Sequence, residues 1–428
     1  MHGRLSSISK RLAAPLGIAL VLLGACATLP GANERRVPEV AAVADASPER
    51  LALNAKVYDL VVKAVSEQHY QRETLGAHWL EQATEKRAEV VASPDEVGFY
   101  RGLNGVLAEL GDKHTNAIRP YANRLTRQRR LGEGLEFGFS LARAGEGFVV
   151  DRVRPDGPAA EAGLQPGWRV DTVDGEPFVL TGSYLEGEHR WGFTDAQDQP
   201  HFATFAASPL PREVGYLERT PEGVLVITFN SFDGPSREWV QTQLAAAQAD
   251  PPPAIIIDLR GNGGGDAWEL RRILSPFFAA PTAYGIIDSG PIFGGVRKTG
   301  RWRTPWTGPL AVLISGRTAS AAELFAAAIQ ESRRGPVVGS KSAGAVVASR
   351  HFDLPDGGML SIGIRSFRTA AGVTLEHSGV TPDVVTAPTL DELRQGRDPT
   401  LEAAVAVLLA PKPAPEPAAA ETPSLEPA

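Results

Sequence analysis

The stretch Ala254-Ile255-Ile256-Ile257-Asp258-Leu259-Arg260-Gly261-Asn262-Gly263-Gly264-Gly265 decides the fold. A continuous β-branched run predicts a strand buried on both faces, as in parallel sheets. It runs into a turn almost devoid of side chains, which leaves backbone N–H groups at the carboxyl edge of the sheet, where α/β proteins bind ligands. Such amides suit either a phosphate or a developing oxyanion. The phosphate reading is disfavoured, because no Gly-Lys-Ser/Thr follows and Asp266 stands at the third fingerprint position.

Outward from this turn, strands and helices alternate: VLVITFNSF, the helix REWVQTQLAAAQA, the helical DAWELRRILSPFF, the strand PLAVLIS, the helix ASAAELFAAAIQ, then GPVVG and MLSIGI. This order predicts a parallel or mixed α/β core. Upstream, residues 131–207 change character to short β-like runs with Gly turns, joined at Ala144-Gly145-Glu146-Gly147 and interrupted by a short helix PAAEAG. Before them, LALNAKVYDLVVKAVSEQHY, HWLEQATEKRAEVV and PDEVGFYRGLNGVLAEL place apolar residues at helical spacing and predict amphipathic helices ending at Gly111.

The extremities read differently. Arg4, Lys10 and Arg11 precede the apolar run APLGIALVLLGA, the pattern of a cleaved export signal. It closes on Leu23-Gly24-Ala25-Cys26, which resembles the bacterial lipoprotein box, so Cys26 is the expected lipidation site and the chain an expected membrane-anchored protein of the bacterial cell envelope, facing the periplasm or exterior. Cys26 is the only cysteine, which excludes an intramolecular disulfide and a zinc–thiolate cluster. The Pro/Ala/Glu-rich end after residue 410 predicts disorder. Among 428 residues, apolar types make up 43 % and charged types 22 %, with a net charge of −7 and no basic block interleaved with aromatics, which argues against nucleic acid as a partner. The expected organisation is an export signal at 1–25, a linker at 26–46, a helical cap at 47–130, the small β domain at 131–207, the core at 208–410 and a tail at 411–428.

One serine stands out. In Ser315-Gly316-Arg317-Thr318-Ala319-Ser320-Ala321-Ala322-Glu323 a buried strand passes into an Ala-rich helix, so Ser320 lies at the sheet edge, and the helix N-terminus favours negative charge nearby. By itself a serine at this position reads as a helix N-cap. Two basic groups are candidates to take its proton. One is His114 in Leu110-Gly111-Asp112-Lys113-His114-Thr115, at the end of the helical region; imidazole titrates near neutrality and returns what it accepts. The other is Lys341 in Gly339-Ser340-Lys341-Ser342-Ala343-Gly344-Ala345.

Taken in order, DLRGNGGG, TASAAE and Gly379-Val380-Thr381-Pro382-Asp383 resemble the tail-specific, or C-terminal processing, serine peptidases and their tricorn-type relatives. The resemblance implies an α/β multidomain protein with a helical N-terminal cap, a PDZ-like β domain carried by GPAAEAGLQPGWRVDTVDG, and a crotonase-like (ClpP/crotonase) core. It implies Ser320 as nucleophile, and amides of Gly263 or Gly264 and of Ala321 as the oxyanion hole. In the C-terminal processing branch a lysine follows a GxxxxG segment, but Ala345 holds that place here and Lys341 stands four residues too early. Leu110–Thr115 is similar instead to the tricorn-type segment whose histidine takes the serine proton, which makes His114 the expected base. Glu376, before the Gly-Val-x-Pro-Asp motif, is the expected orienting carboxylate. The tricorn-type relay runs through a serine before the histidine, where Lys113 stands here, so direct contact from Glu376, service by Asp112, and a bridging water remain alternatives. The chemistry needs no metal or cofactor. Expected partners are polypeptide substrates or protein C-termini; the rival reading is a catalytically silent PDZ scaffold that binds C-termini.

Overall fold

A computed structural model describes residues 43–132, 134–180, 183–288 and 294–410. The export signal, Cys26 and the tail 411–428 lie outside the described residues. Among the described residues no helix is long and apolar enough to cross a membrane.

The central sheet is six-stranded, in the spatial order Gly215–Arg219, Leu225–Phe229, Ile255–Asp258, Leu310–Ile314, Val337–Gly339 and Val384–Val385. Its first pair is antiparallel and the others parallel. Both faces are covered, which is why the strands read as unbroken apolar runs. Ile255, Ile257, Val312 and Ile314 pack against Val240, Leu270, Ile273 and Phe325 of the helices Gly234–Ala249, Ala267–Leu274 and Ala321–Glu331. Ile256, Ala311, Leu313 and Val338 face Ala404 and Val405 of the C-terminal helix Pro399–Leu409. The period-two split between the faces follows from the pleat.

A second, five-stranded sheet is built around the long strand Met359–Arg368, which pairs with Val347–Asp353, Ala283–Asp288 and Asn116–Ile118. The last partner comes from the N-terminal region: Asn116 opposes Ser361, Ala117 opposes Leu360 and Ile118 opposes Met359. The sequence reading ended the first region in helices at Gly111; a strand too short to show periodicity follows, and then the helix Pro120–Leu131, opened by Pro120 and closed by a left-handed Gly132 at φ 76°.

Two of the helices before it carry side-chain N-caps. Ser47 Oγ accepts the Arg50 N–H at 3.1 Å ahead of Pro48–Gln68, and Asp95 accepts the Gly98 N–H at 2.7 Å ahead of Glu96–Ala108. Val57, Val61, Phe99, Leu103 and Leu107 bury their stripes together with Leu354, Leu360 and Ile362, so the cap and the second sheet share one core.

Residues 139–206 form a separate antiparallel sheet, in the order Phe139–Ala144, Gly147–Val153, Arg169–Val173, Glu188–Thr194 and Pro200–Ala206. Its own core stacks Trp191 on Phe205 at 5.6 Å, with Val150, Val170 and Phe193. The pairing of Leu135–Glu136 with Ser208–Pro209 closes its neck, and the short helix Leu390–Arg394 leans against it: a Cβ on Gly147 would lie 2.7 Å from Leu390 Cδ1.

Candidate active site

Ser320 sits between the strand Leu310–Ile314 and the helix Ala321–Glu331, at φ 56° and ψ −120°. A β-carbon-bearing residue is strained there, and a bend held against such strain points the side chain out of the strand-to-helix turn. The glycine turn presses against it. A Cβ on Gly264, itself at φ 99°, would come within 2.6 Å of Ser320 Cβ and 2.8 Å of the Ala319 carbonyl oxygen. Asn262, fully buried, ties the two segments: its Oδ1 accepts the Gly264 N–H at 2.8 Å, its Nδ2 donates to the Phe229 carbonyl at 2.9 Å, and its own carbonyl accepts the Ala319 N–H at 3.1 Å. The Gly264 amide is thereby committed, which removes it from the expected oxyanion donors. The N–H groups of Gly263 and Ala321 have no acceptor among the described residues.

Glu323, on the first turn of the same helix, is fully buried. Its carboxylate accepts from the backbone N–H of Ser320 at 3.0 Å, Gly344 at 2.8 Å and Ala345 at 2.9 Å, and from Ser342 Oγ at 2.6 Å. The Ser320 N–H also donates to the Ala345 carbonyl at 2.9 Å. A buried carboxylate is tolerated when donors saturate it, and here that saturation moulds segment 342–345 around the serine. Glu323 lies within TASAAE, where the sequence alone gives it no role. Its signal was an acidic residue in an otherwise apolar stretch.

The histidine arrives from the cap. His114 lies two residues before the strand Asn116–Ile118 that pairs with Met359–Arg368, so the second sheet holds it beside the core. The neighbouring Lys113 Nζ donates to the Ala343 carbonyl at 2.6 Å, which ties this loop to the segment moulded by Glu323. Burial holds the His114 imidazole below the ordinary histidine value, against the negative charges of Glu376, Asp112 and Glu323, which push it up. Among the described residues its buried Nδ1 has no hydrogen-bond partner, and neither has the buried Oε1 of Glu376, whose other oxygen accepts the Val346 N–H at 2.6 Å.

Among the described residues the Asp112 carboxylate makes its hydrogen bonds elsewhere than to the His114 ring. Its Oδ1 accepts the backbone N–H of His114 at 2.7 Å and of Thr115 at 2.6 Å, and its Oδ2 meets His69 Nε2 at 2.7 Å. Burial raises its pKa, but these donors outweigh burial and hold it below the usual carboxylate range. Tyr70, beside it, is pushed up to about 12 by burial and by the charges of Asp112 and Glu376. His69 had no sequence signal beyond following an amphipathic helix.

Of the other expected residues, Lys341 is exposed, and among the described residues its side chain has no hydrogen bond or ion pair. Ala345, at the lysine position of the resembled branch, is buried. His377 is exposed at φ 61°, its backbone N–H on the Gly344 carbonyl at 2.9 Å.

The chain is similar to known peptidases. Residues 223–386 match the model of peptidase family S41. The chain is 27 % identical over 322 residues to the chloroplastic C-terminal processing peptidase of Tetradesmus obliquus, which covers 68 % of each chain. It is 26 % identical over 356 residues to a tricorn protease homologue of Streptomyces coelicolor, spanning 75 % of this chain and 29 % of that one. The solved photosystem II D1 C-terminal processing protease shares the fold, with a TM-score of 0.56 at 20 % identity over 83 % of this chain and 97 % of its own. The stretch 223–386 that matches the model of peptidase family S41 holds the glycine turn, Ser320 and Glu376, and the chain as a whole is similar to C-terminal processing peptidases.

Proposed function

We propose that this chain is an exported serine endopeptidase that hydrolyses peptide bonds in extended or unfolded polypeptides. The observation that carries the reading is the strained Ser320 beside two unspent N–H groups, approached from other segments by a histidine and a carboxylate that each keep one buried atom unpartnered. Ser320 Oγ attacks the carbonyl carbon while His114 takes its proton. The N–H groups of Gly263 and Ala321 hold the oxyanion of the tetrahedral intermediate. His114 then protonates the leaving amine, and water, deprotonated by the same imidazole, releases the acyl group. Glu376 orients the imidazole: rotation of its free Oε1 onto Nδ1 satisfies both orphaned atoms and favours the imidazolium that forms.

The sheet of residues 139–206 is the PDZ-like element of this reading, which captures substrate C-termini, and the two-sheet core is its crotonase-like element. Cys26 carries the lipid anchor, and the folded part stands in the cell envelope. Lys341 has no part in the chemistry.

The test is labelling of the purified chain with a fluorophosphonate across pH, beside Ser320→Ala, His114→Ala and Lys341→Ala. Labelling mapped to Ser320, lost in His114→Ala and kept in Lys341→Ala, is the expected outcome. Labelling that survives His114→Ala and fails in Lys341→Ala transfers the base role to the lysine, and an unlabelled wild-type chain leaves a binding scaffold.

A further inference from the structure

The buried pair formed by His69 and Asp112 stands outside the chemistry described above, yet it holds the loop that carries His114. His69 closes the first helix as its C-cap, with its backbone N–H on the Val65 carbonyl at 3.0 Å and its side chain 1 % exposed. The Gln71 N–H donates to its Nδ1 at 3.2 Å, which places the ring proton on Nε2, facing Asp112 Oδ2 at 2.7 Å. The opposite oxygen of Asp112 holds the N–H groups of His114 and Thr115. Thr115 Oγ1 in turn accepts the Gly363 N–H at 3.0 Å, and the Gly363 carbonyl accepts the Tyr70 N–H at 2.9 Å. The pair is thus joined to the second sheet through both backbone groups of one residue, Gly363. Gly363 leaves no slack there, since a Cβ would lie 2.9 Å from Val347 and 3.4 Å from the Tyr70 ring.

We propose that His69 is a positioning residue for His114: its Nε2–H fixes the rotamer of Asp112, and Asp112 fixes the backbone from which the His114 imidazole projects. This rests on the reading of His114 as the base. The fixed tautomer is what separates this role from simple filling of a core, because a structural histidine needs bulk, whereas this one needs a donor aimed at Asp112. The titratable groups facing the imidazole from the packed elements are Glu376, Asp112 and Glu323, and Tyr70 stands beside Asp112 and Glu376. The charge around His114 therefore changes with any turn of the Asp112 carboxylate.

The test uses the full chain with His69→Ala, His69→Asn and His69→Gln. The Gln amide reaches about as far as Nε2, and the Asn amide does not. The expected result is a fall of about 10²-fold in the fluorophosphonate labelling rate of Ser320 in the Ala and Asn variants. Recovery in the Gln variant should follow, together with a displaced NMR titration of the His114 ring in Ala and Asn that returns to the wild-type course in Gln. Equal impairment of all three, or a wild-type labelling rate and titration in the Asn variant, overturns the proposal. If wild-type Ser320 does not label at all, the peptidase reading fails by itself, and the His114 titration in the same variants still decides whether His69 positions it.

Discussion

Two carboxylates bear on the serine and histidine, the buried Glu323 and the half-buried Glu376, and they are spent differently. Glu323 is saturated by three backbone N–H groups and one hydroxyl, all of which hold the segments around Ser320 in place. Glu376 uses one oxygen on Val346 and keeps the other buried and empty near an imidazole with an equally empty Nδ1. A carboxylate with every lone pair committed is architecture, because removing it strands donors. One with a vacant oxygen beside a titratable ring is poised to respond to a proton.

The sharpest way to break this contrast is Glu323→Ala. It leaves three donors without an acceptor, the N–H groups of Gly344 and Ala345 and the Ser342 hydroxyl, each worth about 1–3 kcal/mol when buried and unsatisfied, while the Ser320 N–H keeps the Ala345 carbonyl. We expect a loss of stability above about 3 kcal/mol in urea titration, with labelling of Ser320 abolished; an unchanged midpoint would show that Glu323 is not the keystone of its loop. Glu376→Gln is expected to act in the opposite sense: stability within about 1 kcal/mol of wild type, but kcat on an unstructured peptide down by about 10²-fold with KM little changed. A variant that lost stability and kept its rate would exchange the roles of the two residues.

The smallest effect concerns pH. The base must be neutral to accept a proton, and burial holds the His114 pKa below 6.5. Its neutral form therefore persists to lower pH than in a free histidine, and the acid limb of kcat/KM is expected below that value. Because the Glu376 charge favours the imidazolium, Glu376→Gln should carry the limb further toward acid; movement toward neutrality would mean that Glu376 does not act on His114.

What the sequence revealed divides along similar lines. The run Ile255–Ile257 announced a doubly covered strand because each residue type favours that environment regardless of its partners, and the serine turn was legible from the strand and helix on either side of it. His114 was legible only through resemblance, since a histidine between Lys113 and Thr115 reads locally as a surface loop. The donors on Glu323 come from a neighbouring turn and from a segment beyond the end of its helix, and no local pattern encodes that convergence. The commitment of the Gly264 amide to Asn262 was equally hidden: both residues lie inside the quoted motif, but which N–H remains free depends on a rotamer. The strand Asn116–Ile118 was missed because its partner is Met359–Arg368, far along the chain.

That long-range pairing gives the molecule a temporal property. The β domain of residues 139–206 is inserted between the segment that bears His114 and the segments that bear Ser320 and Glu376, so neither part of the chain alone carries all three residues. As the polypeptide is synthesised, the histidine emerges first and has nothing to rest on until Met359–Arg368 follows. On the peptidase reading proposed above, a growing or truncated chain is inert until Met359–Arg368 has closed on Asn116–Ile118 and Glu376 has followed it.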